Sequence, residues 1–571
     1  MSLITSLYGS MVFNDQTMKK RLSADVYERY HHCLRAGSEL SEADADVIAN
    51  EMKDWAVELG ATHYTHWFQP MTGITAEKHD SFIEPDEDSV IMKLSGKELI
   101  KGEADASSFP NGGLRSTFEA RGYTAWDMSS YAFIKDGTLC IPTVFLSYGG
   151  ESLDKKTPLL KSEELIEKQA KRLLHLLGKE VDSVITTVGA EQEYFLIDKK
   201  MYYKRKDLVY TGRTLFGNRP PKTQELDDHY FGVIKPRVLS FMKELNEECW
   251  KLGIPAKTQH NEVAPCQHEL APIFTLTNRA CDQNQIIMEL MKKIADKHDL
   301  VCLLHEKPFN GINGSGKHNN WSMSADGENL LSPKGRDEQF LLFLVAIIQA
   351  VDEYPELLRI AAASAGNDHR LGGHEAPPAV LSVFIGHDLE ERIQNFIYNK
   401  KTENSSNTSL NMDVHSLPKF FQDTSDRNRT SPFAFTGNKF EFRMLGSSQS
   451  IACSNINLNT AVAEILCRFA DRLENTSGNL LEEIRNVIRE SYENHKRIIF
   501  NGDGYADEWI EEAKRRGLLN LPTTADTLPC YLNQKNIELF ERHKIFTASE
   551  LRSRYEILLE NYNNVNSIEA Y

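Results

Sequence analysis

The chain has 571 residues, of which 41% are hydrophobic and 26% charged, and it carries a formal net charge of -17. That length calls for two to four structural units rather than one core, and the composition excludes a mostly disordered or collagen-like chain. The acidic balance argues against a nucleic-acid or anionic-membrane surface as partner, because phosphate contacts need clustered Lys and Arg, and it suits an enzyme whose local field is corrected by cations.

The N-terminal stretch MSLITSLYGSMVFNDQTMKK lacks the basic start, apolar run and small-residue cleavage site of a secretory leader. The nine cysteines are odd in number, scattered and never spaced C-x-x-C, which points to reduced thiols and a cytoplasmic location. Residues 41–59 repeat apolar positions at Val47, Ile48, Met52, Trp55, Ala56 and Leu59. They predict an amphipathic helix capped by Ser41 and closed by Gly60. From about 61 to 150, aromatic and β-branched runs cut by Gly, Pro and Asn predict a small sheet-rich domain.

Helical patterning returns at 161–178, and a region reaching to about 470 alternates strands such as SVITTVGAEQEYFL with helices such as RACDQNQIIMELMKKIADKH, the pattern of an α+β domain. The longest apolar stretch, 340–350, falls short of the roughly 20 residues a membrane span requires and reads as a buried helix. Residues 400–426, rich in Asn, Ser, Thr and Asp, predict an exposed loop. Beyond about 470 the chain is charged and helical.

Four segments carry chemistry. Glu191 and Glu193 stand two apart in a strand pattern, so both carboxylates share one face. A divalent cation is one answer to that repulsion, and two surface acids on a half-exposed strand are the other. Glu262 and Glu269 lie seven apart around Pro265, a spacing that lets two strands joined by a turn aim acids inward. In HEKPFNGINGSGKHNNWSM, three glycines precede His318, and Gly311 to Lys317 nearly spells a P-loop. The match fails because His318 replaces the magnesium-binding hydroxyl and HNNWSMSADG is a poor helix start.

The fourth segment group is basic: Arg370, Arg427, Arg429 and Arg443. In KFEFR, Glu441 and Arg443 alternate with two phenylalanines, an arrangement that suits a metal edge beside an anion or an ordinary cross-strand ion pair. Five glutamates and one histidine make a hard, oxygen-rich donor set that favours Mg²⁺ or Mn²⁺ over zinc, as phosphoryl transfer requires.

The order and wording of GAEQEYFL, NEVAPCQHELAP, KPFNGINGSGKHNNWS, HRLGGHEAPP and DRNRTSPFAFTGNKFEFR resemble glutamine synthetase, in particular its large bacterial type III branch. DASSFPNGGLRSTFEARGYTAWD looks like the family's N-terminal aspartate loop. The resemblance implies a small β-grasp-like domain (61–153) after a helical region (1–60). It implies a larger catalytic α+β domain (154–470) on a curved antiparallel sheet with flanking helices, and a helical C-terminal region (471–571) shorter than the family's usual tail.

The resemblance also implies ATP-dependent joining of ammonia to glutamate through γ-glutamyl phosphate, with two or three Mg²⁺ or Mn²⁺ ions per site. Glu193, Glu262 and Glu269 match the acids holding the metal beside glutamate, and Glu191, His318 and Glu441 those holding the metal among the nucleotide phosphates. Asn313, Gly314, Arg370 and Arg443 match glutamate-binding positions, the two arginines also gripping the phosphoryl group. Arg429, Asn320, Ser322 and Lys439 fall at nucleotide-contacting positions, Glu375 at the flap acid, and Asp105 at the aspartate that binds ammonium in a neighbouring subunit's site. The resemblance further implies a homo-oligomer, in the family a double ring of twelve. Two positions depart from the pattern: Ala434 stands where many relatives have a phosphate-binding arginine, a contact that Arg427 could replace, and Ala106 replaces a glycine.

Overall fold

A computed structural model describes residues 3–217, 230–399 and 427–571, with short pieces at 409–410, 416 and 420–421 between them. The helix predicted from 41 runs Glu42–Glu58, with the Ser41 side chain accepting from the Asp44 N–H. Its Ile48, Met52 and Trp55 pack into one cluster with Ile141 of the following sheet, Leu99 of the short helix Gly96–Ile100 and Phe82. The N-terminal helices therefore close one face of that sheet and are not free-standing.

The first sheet has six strands, ordered Asp80–Ser81, His63–Trp67, Thr138–Ser147, Arg121–Trp126, Lys101–Asp105, with Phe133–Lys135 paired to Thr138–Ser147. Its first and last long strands are parallel and the rest antiparallel, in keeping with a β-grasp-like unit.

The second sheet has ten strands. Along its main path they run Ala256–Asn261, Gln267–Pro272, Val184–Asp198, Lys317–Ala325, Phe440–Phe442, Phe433–Phe435, Val383–Phe384. All of these pairs are antiparallel except the last, which is parallel. One face packs on helices: Val188 and Ala190 share a core with Leu173 of the helix Lys156–Leu176 and with Val462 and Leu466 of the helix Ala452–Glu474. The other face carries the polar residues of the site.

The apolar run expected to be a buried helix is the helix Asp337–Glu353, buried almost all round. The helix expected at 161–178 starts five residues earlier, at Lys156, and includes Pro158. Proline is tolerated there because a first-turn N–H has no intrahelical acceptor to lose. The expected border at 470 falls inside the helix Ala452–Glu474. C-terminal residues Leu528, Tyr531, Phe540 and Leu551 join the same hydrophobic cluster as that helix, so the C-terminal helices are built into the core behind the second sheet. Within the expected loop 400–426, Ser409–Leu410 pairs with Phe420–Phe421, and most of the segment lies outside the described residues. No helix among the described residues is long and apolar enough to cross a membrane.

Candidate active site

Strand register brings the predicted acids together. Glu193 stands opposite Glu269, which stands opposite His260 on the next strand. On the other side of the central strand Glu191 stands opposite His318, and one pair further Asn320 stands opposite Glu441. Directly opposed residues share a face, and period-two alternation keeps Glu191 with Glu193 and His318 with Asn320 and Ser322. One face of the sheet thus collects acids from strand segments that are far apart in sequence.

Two compact groups result. In the first, His318 Nδ1 lies 3.1 Å from Glu191 and 3.0 Å from Glu441, within one potential ion-binding cluster. Burial works against charge on this imidazole, yet the two carboxylates hold its pKa well above the ordinary histidine value. The same contacts hold Glu191 and Glu441 below the usual carboxylate range against the effect of burial. In the second group, His260 Nε2 lies 3.0 Å from Glu269 and Nδ1 3.6 Å from Glu262. Burial, with the charges of Glu193 and Glu269 beside it, pushes Glu262 up to about 9. Glu269 is raised too, chiefly by burial.

Such stacking is electrostatically unfavourable unless positive charge enters, and protons are the only positive charge these groups supply themselves. Hard carboxylate oxygens with one imidazole per group fit a divalent cation of the magnesium or manganese type. His260 went unnoticed in the sequence, although its signal was available: it lies two residues before Glu262, in the same alternation that pairs Glu191 with Glu193.

Beside the second group a small cavity is lined by Glu193, Glu262, Asn313, Gly314, Arg370 and Glu375. Glu193 also accepts from the Gly316 N–H at 2.5 Å. Buried Arg370 is fastened to its own backbone surroundings, donating to the carbonyls of Arg443 at 3.2 Å and Met444 at 3.3 Å. A Cβ on Gly316 would come within 2.0 Å of the Arg370 guanidinium, so only glycine lets that group occupy its place. Arg443 forks Glu441 with two hydrogen bonds of 3.0 Å, the bidentate geometry that fixes both side chains.

The remaining predicted residues fall around this centre. Asn320 donates to Glu191 at 2.9 Å, and the Ser322 hydroxyl donates to the Asn438 carbonyl at 2.8 Å, beside Lys439 in the turn between the last two antiparallel strands. Asn313 and Arg429 both reach Glu375, at 3.0 and 2.8 Å. Tyr505, from the C-terminal helical region, joins them by donating to the Ala376 carbonyl at 3.0 Å. No periodicity or motif in the sequence pointed to Tyr505.

Asp105 is different. It is exposed at the end of the edge strand Lys101–Asp105, accepts from the Ser107 N–H at 2.8 Å, and those Ser107 hydrogen bonds hold its carboxyl below the usual range. No described contact joins it to the acid cluster within one chain. Ala434 is fully buried and stands opposite Glu441, so a longer side chain there would point toward Glu441 and its group, while the Arg427 backbone carbonyl accepts from Arg443 at 3.0 Å. The near P-loop is excluded by its own C-terminal end, where Lys317 opens a strand, not a helix, and donates from its buried ammonium to Asn284 at 2.9 Å.

The family described as glutamine synthetase type III N terminal matches residues 4–162, the glutamine synthetase catalytic domain matches 168–381, and the glutamine synthetase C-terminal domain matches 483–571. The chain is 49% identical to the type-3 glutamine synthetase of Dictyostelium discoideum, over 99% of this chain and 79% of that protein. It is 50% identical to the glutamine synthetase of Bacteroides fragilis, over 99% and 79%. For the glutamine synthetase of Butyrivibrio fibrisolvens the identity is 48%, over 100% and 82%. In fold it is similar to the cryo-EM structure of Plasmodium falciparum glutamine synthetase, with a TM-score of 0.61 at 13% identity over 91% of this chain and 96% of that one. A GmaS/ADP complex is similar with a TM-score of 0.56 at 13% identity over 90% and 96%. The chain belongs to the glutamine synthetase family, in its type III branch.

Proposed function

We propose that this enzyme joins ammonia to the side-chain carboxylate of L-glutamate at the expense of ATP, through γ-glutamyl phosphate, giving L-glutamine, ADP and phosphate. The observation that carries the reading is the convergence of Glu191, Glu193, Glu262, Glu269, His318 and Glu441 on one sheet face beside Arg370, Arg443 and Asn313. Two or three bound Mg²⁺ or Mn²⁺ ions would neutralise the triphosphate and the charge that develops in transfer. Glu193, Glu262 and Glu269 would hold the ion on the glutamate side, with His260 available beside them, and Glu191, His318 and Glu441 the ion on the nucleotide side.

Arg370, Arg443, Asn313 and Gly314 orient glutamate so that its own carboxylate is the nucleophile, and no protein nucleophile is required. Arg429, Asn320, Ser322 and Lys439 face the nucleotide. Glu375 closes over the acyl phosphate and keeps water from it until ammonia arrives. Asp105 takes the proton of ammonium. Its exposed place on the edge strand, away from the cluster, favours a homo-oligomer in which a neighbour's N-terminal sheet completes each site, as in a double-ring dodecamer. The helical region 1–60, the β-grasp-like domain 61–153, the catalytic domain 154–470 and the helical region 471–571 would be its units, and the cytoplasm its compartment.

The test combines product formation with native mass measurement. With Mg²⁺ or Mn²⁺, purified protein should form glutamine from ammonia and γ-glutamyl hydroxamate from hydroxylamine. Glu193→Gln should nearly abolish both and weaken divalent binding while the assembly mass is unchanged. Normal turnover in that variant rejects the ligand set, and a strong preference for putrescine over ammonia rejects the acceptor.

A further inference from the structure

A second cavity, of about 370 Å³ and within the size range of small-molecule pockets, shares none of the acid cluster of the candidate site. Its roof is the C-terminal helix Ala548–Ala570, through Ile557, Leu558 and Val565. That helix is anchored at both ends. Glu550 accepts from the Ser152 N–H at 2.8 Å, and Glu569 is forked by Arg213 with two hydrogen bonds of 2.8 Å. Phe546, Leu528 and Ile360 add to a lining that is largely apolar.

Two cations stand in this lining, neither of them in an ion pair among the described residues, although the charges of Glu550 and Asp154 act on Arg554. Lys155 precedes the first turn of the helix Lys156–Leu176, and its backbone N–H donates to the Gln69 carbonyl at 3.1 Å. Its ammonium has no hydrogen bond or ion pair among the described residues. Burial lowers it to about 8, Arg554 adding to the effect and the Cys453 thiol opposing it. Arg554 lies 4.3 Å from the Phe546 ring centre and donates only to neutral acceptors: the carbonyls of Glu550 and Asp154, at 3.3 and 3.1 Å, and the Ser152 hydroxyl at 3.2 Å. The acid in the lining, Glu306, is committed elsewhere, accepting from the Ser448 N–H at 3.2 Å and its hydroxyl at 2.5 Å.

An enclosed, uncompensated ammonium beside a guanidinium costs stability that an anion would return, and an apolar surround rewards a hydrophobic body. We propose that this cavity binds a small monocarboxylate with an aromatic or aliphatic body, its anion paired with Lys155 in the field of Arg554 and its body packed beneath the C-terminal helix. A carboxylate fits better than phosphate, because one unpaired ammonium supplies one charge, and the hydrogen bonds of Arg554 are already taken.

The proposal is tested by isothermal titration calorimetry on the full chain with indole-3-acetate and 4-phenylbutyrate against their neutral amides, without nucleotide or divalent metal. The acids should bind once per chain, about tenfold or more tighter than the amides. Lys155→Met should bring the acids to the level of the amides. Leu558→Trp, which fills the cavity from the roof, should abolish binding of both. Circular dichroism reports folding, and if Lys155→Met does not fold, the acid-to-amide ratio and Leu558→Trp decide. Equal affinity for acid and amide, no saturable binding of either acid, or an acid affinity unchanged in folded Leu558→Trp or folded Lys155→Met would each overturn it.

Discussion

Asn313 donates from its amide to Glu375 Oε2 at 3.0 Å, tying the glycine-rich segment to the segment His374, Glu375 and Ala376 that lines the small cavity. Both His374 and Glu375 sit at positive φ, 53° and 67°, a left-handed conformation that costs non-glycine residues roughly 1 kcal/mol or more each. The tie to Asn313 and the ion pair with Arg429 at 2.8 Å hold this strained segment in place. Glu375→Ala should release it. Turnover should fall about tenfold or more, by about 1.4 kcal/mol of barrier for each factor of ten. Phosphate release should exceed glutamine formation as water reaches the acyl phosphate. A phosphate-to-glutamine ratio that stays at unity rules out the closing role.

His260 shares one potential ion-binding group with Glu262 and Glu269. His260→Asn should raise the divalent concentration needed for half-maximal activity by about tenfold or more, the usual effect of losing a residue that ligates or orients a ligand. Calorimetric titration with Mn²⁺ should report the same shift. An unchanged metal curve in a folded assembly would remove His260 from the site.

The role proposed for Asp105 can be tested by separating the two proposed stages of the reaction. Asp105→Ala should spare glutamate-dependent ATP hydrolysis in the absence of ammonia while lowering kcat/KM for ammonia by about a hundredfold, as loss of a proton acceptor does. Equal losses in both measurements would contradict the assignment. Mixing Asp105→Ala subunits with Glu193→Gln subunits should restore part of the activity if the aspartate serves a neighbour's site.

Lys156 is the buried charge that compensates two acids outside the candidate site. Wholly buried, its ammonium lies 2.7 Å from Asp127 and 2.6 Å from Asp282, joining the N-terminal sheet domain to the helix Thr277–Lys297. Burial alone would raise Asp127, but the Lys156 charge and the Ser129 and Asn278 hydrogen bonds bring it down to about 2. A depressed carboxyl adds stability above its unfolded value, and that stability is lost as pH falls from about 4 toward 2. Lys156→Met leaves two buried acids unpaired and should cost about 3–5 kcal/mol at neutral pH. Burial already holds Asp282 above the ordinary carboxylate value, and without Lys156 both acids shift upward, so the deficit relative to the parent protein should grow from pH 5 to pH 8. Calorimetric melting at both values checks the sign, and a pH-independent deficit would contradict it.

Sequence alone determined which residues this protein offers and on which faces they lie. Alternation placed Glu191 with Glu193, composition marked the donor set as one for hard cations, and local propensity located the helix Glu42–Glu58 through its Ser41 cap and the helix Asp337–Glu353 through its apolar run. These are short-range properties, governed by periods of two and 3.6 residues. Tertiary structure decided which strands are neighbours. Only the register of Gln267–Pro272, Val184–Asp198 and Lys317–Ala325 sets Glu269 against Glu193 and His318 against Glu191, because pairing between distant segments depends on buried faces and connections that no local window contains. The same limit hid His260, Tyr505 and the unpaired ammonium of Lys155, each of which acquires its surroundings from segments far away in the chain.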